Sequence, residues 1–81
     1  MYVLRETTGE KGCTLAEQDI FRGDFEEAQA RMQEMINADM RATEGISCEI
    51  KHGEDYYSRI ESETLKGYWL HIRWEDMESN E

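Results

Sequence analysis

Eighty-one residues with 38% hydrophobic content and eight aromatics, two of them tryptophan, hold one domain and one core. Nineteen acids against nine bases give a formal charge of −10, which argues against binding nucleic acid by overall charge. No apolar run approaches the roughly 18 residues of a membrane span, and Met1 to Leu4 running into Arg5 and Glu6 does not resemble a signal peptide.

Tyr2 to Thr7 alternates and is rich in β-formers, so it reads as a first strand, and Thr8 to Gly12 as a turn with two glycines. Residues 13–21 suit either a second strand or a short helix; Gly12 and Gly23 on either side favour the strand, and with it a hairpin. Asp24 to Met40 is the longest segment with an unbroken helical period. Phe25, Ala28, Met32, Met35, Ile36 and Met40 lie on one stripe, and Asp24 with Glu27 forms a capping box. Glu26, Glu27, Arg31, Glu34 and Arg41 lie on the outer side and are mixed in sign. Asp39 falls inside the apolar arc, near enough to the helix end to reach solvent. Gly45 supplies the positive φ that stops a helix.

Ile46 to His52 alternates, with Ile46, Cys48 and Ile50 on one face. Gly53 to Asp55 is a turn, Tyr56 to Glu61 a short strand, and Ser62 to Gly67 a polar connection. Tyr68 to Trp74 has the clearest strand pattern: Tyr68, Leu70, Ile72 and Trp74 face one way, Trp69, His71 and Arg73 the other. The expectation is one α+β domain over residues 1–76 in the order ββαβββ. It has an antiparallel sheet of four to five strands with the helix on one face, and a frayed acidic tail over 77–81.

Catalytic signals are sparse. His52 and His71 belong to no nucleophile or metal motif, and acidic neighbours such as Glu54 with Asp55 and Glu61 with Glu63 read as solvated turns. Cys13 and Cys48 are too few for a disulfide scaffold and fit no metal spacing; they read as small core residues of a reduced, cytoplasmic protein. No cofactor, metal or enzymatic activity is expected.

Two surfaces remain. Tyr57, Arg59, Trp69, His71 and Arg73, with Lys51 and Arg5, are expected on the sheet side that the helix leaves open. There they would serve a small ligand or a second copy of the chain. The structural alternative is a Trp69 stacked by arginine stems and shielded by a loop or the tail. The second surface is acidic: Glu17, Asp19, Asp24, Glu54, Asp55, Glu61, Glu63, Glu75 and Asp76, at turns and edges.

The segment Gly23-Asp24-Phe25-Glu26-Glu27-Ala28-Gln29 opens the helix, and Tyr68 to Trp74 closes the sheet. In this β-then-helix layout, in length and in charge, the chain resembles the small acidic accessory proteins of bacteriophages and mobile elements, some of them anti-CRISPR or other anti-defence inhibitors. The resemblance implies a non-enzymatic inhibitor and carries no residue roles with it. The leading expectation is an acidic protein that occupies a basic, nucleic-acid-handling surface of a partner protein. The alternative is a ligand-binding or dimerisation module built on the open sheet face.

Overall fold

The computed structural model describes residues 1–76; the tail expected to fray over 77–81 lies outside them. Strands β1 (Tyr2–Glu10) and β2 (Cys13–Gly23) precede helix α1 (Phe25–Ala42), and β3 (Cys48–His52), β4 (Tyr56–Glu61) and β5 (Lys66–Trp74) follow it. The class is α+β. The strands form one antiparallel sheet of five in the spatial order β2-β1-β5-β4-β3. The last strand in the chain is thus the middle strand of the sheet, which accounts for β5 having the strongest strand pattern.

Residues 13–21 belong to β2. The β1–β2 connection is two residues, not five: Lys11 and Gly12 have φ of 54° and 85°, the left-handed pair that suits a tight hairpin turn. β1 therefore runs three residues beyond the Thr7 expected from alternation. The Lys11 amide donates to the Leu65 carbonyl at 3.1 Å, fastening the hairpin tip to the β4–β5 connection. β2 carries two bulges. Pairing moves from Leu4–Phe21 to Arg5–Asp19 and from Thr8–Ala16 to Gly9–Thr14, so Ile20 and Leu15 are extra residues. Bulges on a long edge strand twist it away from strand addition.

Asp24 caps α1 by accepting the Glu27 amide at its Oδ1, 3.2 Å away. Thr43 closes the helix, and Gly45 at φ 87° turns the chain away. Ala28, Met32 and Ile36 are buried against Leu4, Tyr57, Leu70 and Ile72, with Phe25 and Met35 packed at the margin. A helix about 10 Å wide cannot cover five strands spaced about 4.8 Å apart; the buried core draws on β1, β5 and β4, Ile20 and Phe21 of β2 pack against it, and β3 contributes nothing to it. Ile46 and Ile50, expected beneath the helix, are therefore exposed, as are Met40 and Trp74, the last at 62%. Trp74 instead meets Tyr2 edge-on at 5.0 Å, and Tyr2 meets Phe25 at 5.1 Å.

The register of β4 reverses one expectation. Tyr57 pairs with Leu70 and Arg59 with Tyr68, so both lie beneath the helix and not on the open face. Asp39 is the reason. Its side chain is only 9% exposed and accepts three hydrogen bonds, from Tyr57 Oη at 2.8 Å, Arg59 Nε at 2.7 Å and Arg59 Nη2 at 2.9 Å. Arg59 Nη1 reaches Glu61 at 3.1 Å, and the guanidinium sits 5.7 Å from the Tyr68 ring centre. Asp39 is thus a core acid paired with a core arginine, not a solvated helix end. Burial, with the adjacent Asp39 carboxylate, pushes the Tyr57 phenol above its usual range, and the same carboxylate raises Arg59.

Removing one partner of a buried pair leaves an uncompensated charge. Asp39→Ala is expected to lower the urea-unfolding free energy by about 3 kcal/mol. The double replacement Asp39→Leu with Arg59→Met should recover most of that loss.

Candidate functional site

Of the seven residues expected on the open face, five are there. Trp69 pairs with Thr7 and Ser58, His71 with Arg5 and Tyr56, and Arg73 with Val3. Lys51, paired with Ser58, and Arg5 share this side. Tyr57 and Arg59 do not; alternation in β4 puts Tyr56, Ser58 and Ile60 in their place. The alternation itself was readable, but its phase depends on the Asp39–Arg59 pair.

Trp69 is held by two facing glycines. Gly9 and Gly67 are cross-strand partners. A Cβ on Gly67 would fall 2.1 Å from Trp69 Cη2, and one on Gly9 3.1 Å from Trp69 Cζ3. The indole therefore fills the volume that two side chains would take, a ring lying over bare backbone. This accounts for its partial burial. Beside it, Glu49, Lys51, Ser58 and Ile60 complete a shallow groove of about 230 Å³.

The three arginines on this face are engaged by acids. Arg5 Nε holds Asp19 at 2.7 Å, with Glu17 at 3.7 Å from its Nη1. Arg22 bridges Asp19, 3.1 Å away, and Glu75, and Arg73 Nη2 lies 3.9 Å from Glu75. The Arg5 hydrogen bond holds the Asp19 carboxyl below its usual range. Val3, between Arg22 and Arg73 in register, is fully buried although no helix covers this side, so arginine stems supply its cover. Lys51 and Glu49 sit on β3. The open face thus balances four bases, Arg5, Arg22, Lys51 and Arg73, with four acids, Glu17, Asp19, Glu49 and Glu75. Among the described residues, the excess of acid over base lies elsewhere.

The expected acidic set consequently divides. Glu17, Asp19 and Glu75 engage arginines on the open face. Glu61 engages Arg59 and accepts from Thr64 Oγ1 at 2.9 Å on the helix side. Asp24 is occupied as a helix cap, and Asp76 follows the end of β5. Glu54 and Asp55, in the β3–β4 turn, and Glu63, in the β4–β5 turn, are exposed at opposite ends of β4. The β3–β4 turn is anchored through its backbone: the Glu54 carbonyl accepts Gln29 Nε2 at 3.1 Å, and the Asp55 carbonyl accepts the Ile72 amide at 2.7 Å.

The cysteines do not fill the core. Cys13 is exposed at the start of β2, and Cys48 is half-buried on the short edge strand β3, outside the buried core. His52 meets Tyr57 edge-on, ring centres 6.0 Å apart. Among the described residues no group of three or more histidines, cysteines or acids is arranged to hold a metal ion, and no helix is long and apolar enough to cross a membrane. No family model, curated protein or solved structure matches the chain.

Overfilling a packed site costs about 1–3 kcal/mol. Gly67→Ala should lower stability within that range and push the indole outward, read as a red shift of tryptophan emission. An unchanged emission maximum would mean that Trp69 does not rest on the glycine pair.

Proposed function

We propose that the protein is a non-enzymatic, cytoplasmic binding protein that presents carboxylates to a basic, nucleic-acid-handling surface of a partner protein. This is the role its resemblance to phage anti-defence inhibitors implies. One observation carries the reading. Intramolecular ion pairs engage Arg5, Arg22, Arg59 and Arg73, while Glu54, Asp55 and Glu63 stand exposed on the two turns that bound β4.

The spacing suits the task. β4 has six residues, so its two turns lie roughly 20 Å apart, the axial rise of about six phosphates along one DNA strand. The backbone anchors of the β3–β4 turn reduce the ordering cost of docking. Negative charge at the turns also steers encounter with a basic groove.

The test is displacement of labelled duplex DNA from basic nucleic-acid-binding proteins, each assayed singly, at about 50 and about 200 mM salt. We expect a partner that releases its DNA to this protein, with roughly tenfold weaker displacement at the higher salt. The E54Q/D55N/E63Q variant should lose about tenfold as well. Displacement indifferent to both salt and the triple replacement would overturn the reading.

A further inference from the structure

We infer that the open sheet face is a self-association surface, and that its occupant is a second copy of this chain. The argument begins with charge. A protein of −10 repels its own copies wherever its excess acid is displayed. The open face is the surface where that repulsion vanishes, because its four bases and four acids cancel.

The charges are also arranged to complement themselves. β5 is the middle strand. A two-fold axis parallel to β5, between two copies stacked face to face, lays β2 of one copy over β3 of the other. Glu17 on β2 then opposes Lys51 on β3, twice over, as a closed two-fold contact demands. At the centre, Trp69 meets its counterpart. Tyr56 and Ile60, on the flanking strand β4, supply exposed apolar area beside it. Aromatic side chains in the middle and charge pairs toward the rim are the usual anatomy of such an interface.

The area reaches the lower end of the range of specific interfaces, which begins at about 600 Å² per partner. Five strands spaced about 4.8 Å apart, the central one of nine residues, present about 600 Å² per copy. A standard interface uses about 800 Å² per partner. The result is a two-layer β-sandwich with a helix on each outer side. Association by strand addition is disfavoured, since β2 carries two bulges and β3 is only five residues long. The contact leaves Glu54, Asp55 and Glu63 free at the turns, so it stands independently of the proposed inhibitory role.

Sedimentation equilibrium of the full chain at near-physiological salt reads the mass directly. The expected result is a rise from 9.6 kDa to twice that value as concentration climbs through the micromolar range. Ile60 is a surface residue, so I60K should weaken the dimer at least tenfold while the circular dichroism spectrum and urea midpoint stay unchanged. K51E and E17K should each weaken it, and together restore it. A mass that stays at one chain up to high concentration would overturn the inference. So would a dimer insensitive to I60K, or a charge-swapped pair that fails to recover.

Discussion

The ion pair between Asp39 on α1 and Arg59 on β4 is the contact on which the rest of the structure depends. It is bidentate, with bonds of 2.7 and 2.9 Å, and Tyr57 adds a third donor to the same carboxylate. Moving both charges out of water costs several kcal/mol per ion, and the close geometry offsets that cost. What the pair contributes is uniqueness. Only one rotation of the helix places Asp39 over Arg59 while Ala28, Met32 and Ile36 meet the sheet. Only one phase of β4 brings Arg59 inward, because a slip of one residue would exchange every side chain on the strand between faces.

That phase in turn composes the other side of the sheet. With Tyr57 and Arg59 turned inward, Tyr56, Ser58 and Ile60 turn outward beside Trp69. The open face loses one base and gains apolar area, and its charges cancel. The Gly9–Gly67 cradle then sets how far Trp69 stands out, high enough to be touched and low enough to remain partly buried. A face neutral in charge and mixed in chemistry, on a chain of −10, separates the protein into two surfaces. One is the charge-neutral sheet side; the other carries the exposed acids of the two turns that bound β4.

Much of the architecture was legible from periodicity. The helix stripe, its Asp24 cap, the Gly45 stop and the alternation of β5 are local patterns, and local patterns survive in the fold. The β1–β2 hairpin was readable in kind but not in length, because Lys11 occupies a left-handed position usually taken by Asn, Asp or Gly. Asp39 and Arg59 were misplaced by one shared cause. Each charge, considered singly, belongs in water, and only their meeting across 20 residues of sequence makes burial acceptable. Trp74, Ile46 and Ile50 were placed inside because they are apolar, whereas the width of a single helix decides which strands are covered. The candidate acids illustrate a further limit. Composition counts carboxylates, and only geometry divides those already held by arginines from those displayed on turns.

The buried pair can be observed directly through exchange of the Arg59 Nε–H proton with water, followed by nitrogen-15 NMR at neutral pH. Arg41, exposed in the last turn of the same helix that carries Asp39, provides the internal reference. The account predicts an Arg59 Nε–H that exchanges at least about tenfold more slowly than that of Arg41. Exchange at the same rate as Arg41 would contradict it. Asp39 would then not hold Arg59, and neither the phase of β4 nor the composition of the open face would follow.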